Sequence, residues 1–139
     1  MPILHPVYAA MGTTVFEEMS GLARQLGAIN LGQGFPDDPR APELIEAAAR
    51  ALAERSNQYP PAAGLPELRD AICAFYARRQ GLDLSREQVV VTSGATEAIA
   101  ACVLGLVQPG DEVILFQPAY DAYAPLVRRA GGVPVSLSL

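Results

Sequence analysis

Val89-Val90-Val91-Thr92-Ser93-Gly94-Ala95-Thr96-Glu97-Ala98-Ile99 is the stretch on which the reading of this 139-residue chain turns. Three consecutive β-branched valines favour a strand. Gly94 supplies a permissive backbone for a tight turn. Glu97, three residues on, suits the partial positive charge at the start of a helix. The expectation is therefore strand, turn and first helical turn. A helix start presents N–H groups that have no intrahelical acceptor, and so makes a seat for an anion such as a phosphate.

Working downstream, the pattern predicts a helix over Thr96–Val107, a turn at Pro109-Gly110-Asp111 and a strand over Glu112–Phe116. A largely helical Ala119–Gly131 follows, bent or delayed by Pro125, and then a third strand over Val133–Leu139. With Gln88–Thr92 as the first strand the order is β-α-β-α-β. That order implies an α/β fold with a parallel sheet and right-handed crossovers. The runs Val89–Val91 and Val113–Phe116 read as buried parallel strands. The third strand reaches Leu139 with nothing after it to cover the sheet, so the expected architecture is the first part of a longer fold.

Working upstream, Pro66 opens a helix whose apolar face holds Leu68, Ile72, Phe75 and Tyr76, with Leu65 and Ala71 joining it and Gly81 past its end. Residues 56–65 form a loop in which Pro60 and Pro61 hold Tyr59 extended. Pro42 opens another helix, ending near Arg55, with Leu44, Ile45, Ala48, Ala49 and Leu52 on one face. Residues 29–41 read as a loop after a short strand. There Gly32 and Gly34 either let a ligand approach the backbone or make a plain turn, and local chemistry leaves both readings open. Residues 1–28 form an arm in which Pro2 and Pro6 resist regular structure. Within it Thr14–Gly27 suits a short helix with Val15, Met19, Leu22 and Leu26 on one side; Phe16 and Met19 read as packing residues.

Composition narrows the function. Half the residues are hydrophobic and 18% charged, as in a globular protein. The net charge of -5 argues against a general nucleic-acid binder. All ten basic residues are arginine, and there is no lysine. Cys73 and Cys102 fall in helical patterns without metal-ligand or disulfide spacing and read as reduced, buried thiols. The single histidine, His5, sits in the arm, away from any triad or metal constellation, so no metal site is expected. No secretory leader is recognisable, and the longest apolar run, Ala98–Val107, is too short to cross a bilayer. A cytoplasmic protein is the default expectation.

The common nucleotide motifs are absent. There is no Gly-x-Gly-x-x-Gly after a strand, and a chain without lysine cannot carry Gly-x-x-x-x-Gly-Lys. Ser93-Gly94-Ala95-Thr96 is thus another kind of phosphate seat or an ordinary β-α turn. Its company is more specific: Asn30-Leu31-Gly32-Gln33-Gly34-Phe35-Pro36-Asp37, then Asn57-Gln58-Tyr59-Pro60-Pro61-Ala62-Ala63-Gly64-Leu65-Pro66-Glu67-Leu68-Arg69, then Val91–Ala98, and after Pro109–Val113 the run Gln117-Pro118-Ala119-Tyr120-Asp121-Ala122-Tyr123. In this order and spacing the chain, from about Thr13 to its last residue, resembles the class I/II aminotransferases. These are fold type I enzymes that use pyridoxal 5′-phosphate (PLP). The likeness is to the branch with methionine, glutamine–kynurenine and N-succinyldiaminopimelate aminotransferases.

The resemblance implies roles. Ala95 and Thr96 would hold the PLP phosphate through backbone N–H groups and a hydroxyl, and Tyr120 would stack on the pyridine ring, with Tyr123 structural. Gly34 would line the substrate site. Tyr59 would reach the phosphate of a neighbouring subunit, making the site shared across a homodimer. Asp38 stands where many relatives carry an aromatic residue. Residues 1–41 would be the arm and substrate-side loop, and 42–139 the first part of the PLP-binding large domain. The family also uses a Schiff-base lysine that moves the substrate proton, together with an aspartate, an asparagine, a tyrosine and a carboxylate-binding arginine, all placed beyond these residues. Arg128 and Arg129 are poor candidates for that arginine and read as a solvated helix face. No catalytic residue is therefore assigned. The expected activity is amino transfer between an amino acid and a 2-oxo acid by the encoded family, with these 139 residues alone inactive. The alternatives are a fragment of a PLP-dependent C–S β-lyase and a non-catalytic remnant that binds PLP or docks onto a relative.

Overall fold

Proline and glycine set the helix boundaries. Pro6, Pro42 and Pro66 each occupy the first position of a helix, where a missing N–H costs nothing: α1 (Pro6–Ala9), α3 (Pro42–Glu54) and α4 (Pro66–Gln80). Between the first two lies α2 (Val15–Leu26), capped by Thr14, whose hydroxyl oxygen accepts the Glu17 N–H at 3.2 Å. Gly27 and Gly81 close α2 and α4 in the left-handed conformation, at φ 60° and 67°. The remaining elements are α5 (Gly94–Leu106), β1 (Glu112–Gln117), α6 (Tyr123–Arg129) and β2 (Val133–Ser138). The structure is a computed structural model that describes residues 4–34 and 41–139.

The chain divides into two compact units, Met1–Gly34 with Ser93–Leu139, and Phe35–Thr92. In the first, β1 and β2 form a parallel pair in register from Glu112↔Val133 to Gln117↔Ser138. The ladder is extended at its ends by Val133 N–H to the Asp111 carbonyl (2.7 Å) and Leu139 N–H to the Gln117 carbonyl (3.2 Å). Helix α6 packs on both strands, on α5 and on α1. Its Val127 is 1% exposed and is the most deeply buried large side chain described. Gly132 fits beneath it because no side chain would: a Cβ there would lie 2.6 Å from Val107 Cγ1 and 3.1 Å from Val127 Cγ1.

In the second unit, α4 is tied to the segment that follows it. Arg69 donates from Nε to the Val89 carbonyl (2.8 Å) and from its guanidinium to the Arg86 carbonyl. Arg86 in turn clasps Asp70 through both guanidinium and carboxylate arms, the Nε–Oδ1 distance being 2.6 Å. Helix α3 buries no side chain, so the apolar face expected of it, with Leu44, Ile45 and Leu52, is open.

Several expectations are corrected. Gln88 closes a short 3-10 turn (Arg86–Gln88) rather than starting a strand. Val89–Val91 is extended, with Val89 at φ −116° and ψ 125°, but it joins no sheet. Its backbone groups are taken up elsewhere: the Val89 carbonyl by Arg69, and the Val91 N–H by the Ala63 carbonyl at 3.0 Å. Two of the three expected strands therefore pair, within the α/β class. No strand precedes the glycine loop, because Asn30 folds back to accept the Gly32 N–H at 2.9 Å. Pro6 starts a helix instead of preventing one. The helix expected over Ala119–Gly131 shortens to Tyr123–Arg129, with Pro125 in its first turn, where proline is tolerated. The Gln117–Pro118 bond is cis. In α2 the buried residue is Ser20, not the face of Val15, Met19, Leu22 and Leu26, which are exposed.

Candidate functional site

Helix α5 starts where the sequence places an anion seat. Ser93 is its N-cap residue, without a capping bond from its own side chain, and Gly94 takes φ 79°, a conformation that disfavours any L side chain. Ala95 and Thr96 follow as the second and third helical residues, and both are exposed. Their N–H groups belong to the first turn, which has no intrahelical acceptors. The Glu97 carboxylate bends back and accepts the Ser93 N–H. The turn is thus held in shape from its far side, and a negative charge sits at the positive end of the helix. Sequence reasoning placed Glu97 near that end but missed its bond to Ser93; the signal is the acidic residue four positions after the N-cap.

Tyr120 lies in the segment after β1 and is 45% exposed. Two aromatic neighbours fix its ring. Tyr123 meets it edge-on with centroids 5.6 Å apart, and Phe16 of α2 lies at 6.0 Å with a 40° tilt. The Tyr120 carbonyl accepts the Tyr123 N–H at 3.2 Å. Phe16 packs as the sequence suggested, but its pairing with Tyr120 carries no local sequence signal. Helix α5 and strand β1 each run about 20 Å, and the turn between them is closed by the Gln108 N–H on Asp111 Oδ2 at 2.8 Å. Ala95, Thr96 and Tyr120 belong to one unit.

The two loop glycines differ. Gly32 lies against α2, since a Cβ on it would fall 2.8 Å from Met19 Cβ. The neighbouring network explains why: Ser20 Oγ accepts from Asn30 Nδ2 (3.0 Å) and donates to Gln33 Oε1 (3.3 Å). The closeness at Gly32 is used within the fold. Gly34 is exposed with open space where a Cβ would go. Asp38 lies outside the described residues. Tyr59 belongs to the other unit and is 98% exposed, on a loop held by Asn57 Nδ2 to the Leu52 carbonyl (2.9 Å) and Gly64 N–H to the Pro61 carbonyl (2.8 Å).

Other candidates fall away or change. Among the described residues no cluster of His, Cys, Asp or Glu is arranged to hold a metal. Both cysteines are free, but neither is fully buried as expected: Cys73 is half-buried and Cys102 is exposed. His5 caps α1, its Nδ1 accepting the Val7 N–H at 3.3 Å. Arg128 and Arg129 are exposed at the end of α6, as a solvated face would be. No described helix is long and apolar enough to cross a membrane.

Comparison with known proteins gives this arrangement its context. The chain is 55% identical over 128 residues to the probable N-succinyldiaminopimelate aminotransferase of Mycobacterium tuberculosis, covering 91% of this chain and 32% of that protein. The solved structure of N-succinyldiaminopimelate aminotransferase from M. tuberculosis superposes with a TM-score of 0.89 at 50% identity, over 98% of this chain and 36% of that one. A methionine aminotransferase from Escherichia coli superposes with a TM-score of 0.90 at 42% identity, over 100% of this chain and 37% of that one. The chain spans about a third of the length of the relatives it matches. Residues 27–139 match the family Aminotransferase class I and II, and the chain belongs to that family.

Proposed function

We propose that this chain is the phosphate- and ring-holding part of a PLP-dependent aminotransferase that moves an amino group between an amino acid and a 2-oxo acid. The observation that carries the reading is the exposed first turn of α5, with Ala95 and Thr96, in the same unit as the half-open Tyr120 ring. The residues fit the cofactor in two respects. A helix start suits a phosphate, and a phenol ring offers a face to a pyridine ring. When bound, PLP supplies the electron sink for a carbanion at the substrate α-carbon. The chain's own residues position it: Ala95 and Thr96 donate to the phosphate, Gly94 shapes the turn, and Tyr120 orients the ring. Gly34, with open space over its backbone, lines the substrate side. Tyr59, nearly fully exposed, reaches the phosphate of a second subunit in a homodimer.

In this reading residues 1–41 are the arm and substrate-side loop, 42–139 begin the large domain, and the protein works in the cytoplasm. No lysine is present to anchor the cofactor or to move the substrate proton, so these residues alone do not transaminate. The test is to add PLP to the purified chain. We expect reversible binding that Thr96→Val weakens several-fold, no borohydride fixation on a side chain, and no 2-oxo acid formed from methionine or N-succinyldiaminopimelate. Binding unaffected by Thr96→Val, or turnover by the chain itself, overturns the assignment. Release of pyruvate and ammonia instead of amino transfer, in a form supplied with the lysine, identifies a C–S β-lyase.

A further inference from the structure

Strands alternate their side chains, and parallel sheets are stable when both faces are covered. The β1–β2 pair has one covered face. Val113, Leu115 and Pro134 are half-buried, on the side where α6 packs on the two strands. The opposite face is open. It carries Ile114, 64% exposed, in register with Val135, and Phe116, 58% exposed, in register with Leu137, with Val133 continuing the stripe. Neither strand has a second neighbour among the described residues, so both outer ladders are unpaired as well. A second copy of this chain would meet the face with five side chains. A stable interface uses about 20–30 residues a side. What the surface calls for is a partner that brings both an apolar layer and further strands. The solved relatives contain this same third, in the same conformation, within much longer chains.

We propose that the open face of β1–β2 docks the remaining, lysine-bearing two-thirds of a class I/II aminotransferase fold, and that it does so when that part is supplied as a separate polypeptide. The identity of the partner rests on the functional reading above; the face itself does not. The experiment refolds the 139-residue chain together with a polypeptide comprising the part of the M. tuberculosis relative outside the matched third. Size-exclusion chromatography with light scattering reads the mass, and hydrogen exchange reads the amides of Glu112–Gln117. A complex with equal copies of the two chains is expected. In it those amides slow at least tenfold, while Ile114→Asp and Phe116→Asp cut recovery at least tenfold and Glu54→Gln leaves it unchanged. No complex, a complex indifferent to Ile114→Asp with unslowed amides, or a homodimer of this chain that Ile114→Asp dissociates each overturns the proposal. Should either variant fail to fold, as circular dichroism would report, the exchange on the wild-type chain decides. A complex without amino transfer leaves the docking standing and refutes the functional reading.

Discussion

Two glycines show how single residues carry this fold. Gly132 sits where a Cβ would lie 2.6 Å from Val107 Cγ1, 3.1 Å from Val127 Cγ1 and 3.2 Å from the Asp111 carbonyl oxygen. Two of those neighbours are a fully buried valine and a backbone oxygen bonded to Val133, so neither yields cheaply. Gly21 lies inside α2 with nothing within 4 Å of its would-be Cβ. Gly132→Ala should therefore destabilise the chain by about 1–3 kcal/mol through overpacking. Gly21→Ala should stabilise it by up to ~1 kcal/mol through helix propensity. Urea midpoints moving in opposite directions check the pair; equal shifts would mean that the α6–β2 corner is looser than the distances say. Neither glycine of this contrast was marked in the sequence. Capping glycines such as Gly81 announce themselves at the end of an apolar period, whereas the need for Gly132 comes from Val107, which is distant in sequence, as well as from Val127.

At the level of elements, boundaries written in local chemistry were readable and pairings were not. Pro42 and Pro66 marked helix starts because proline suits that position wherever it occurs. The anion seat at Gly94–Thr96 was readable for the same reason, as a turn residue followed by a helix start. Val89–Val91 has strand chemistry, but a ladder needs a neighbour, and here Arg69 and Ala63 take its backbone groups instead. The tie that holds this segment is acid-sensitive. The Asp70 carboxyl is held below its ordinary value of 3.8, chiefly by the hydrogen bonds from Arg86, and Arg86 is correspondingly raised. Glu87 is lowered too, by its own backbone N–H and by Ser85. A carboxylate with a depressed folded pKa contributes fully above its unfolded value, and the contribution disappears as the pH falls through the folded one. The Arg86 Nε–H resonance should therefore shift with a titration centred below 3.8. In Asp70→Asn that shift should vanish while the Glu87 titration remains. A shift of the wild-type resonance centred above 3.8 would show that Arg86 does not hold the carboxylate in solution.

For the whole molecule the deciding quantity is surface. The accessible area is 11339 Å² for a chain of 14.7 kDa. A folded monomer of this mass exposes about 6,900 Å², and its extended chain about 21,000 Å². The excess has named owners: Ile114 and Phe116 on the sheet, Leu44 and Leu52 on α3, and Val15 and Leu26 on α2 are all more than half exposed. Their apolar periodicity announced faces that should be buried, and nothing in the periodicity said what would bury them. Folding these residues removes only about two-thirds of the area that an ordinary domain of this size removes. The urea m-value scales with that area, so it should fall to about two-thirds of the value usual for a domain of this length. Adding the complementary polypeptide that covers β1–β2 should raise the m-value, because unfolding then exposes the docked face as well. The measurement is a urea titration followed by circular dichroism at several protein concentrations, with and without that polypeptide. A full-sized m-value for the chain alone, independent of concentration, would mean that its apolar faces are closed against each other in solution. An m-value that grows with concentration would show copies of the chain covering one another.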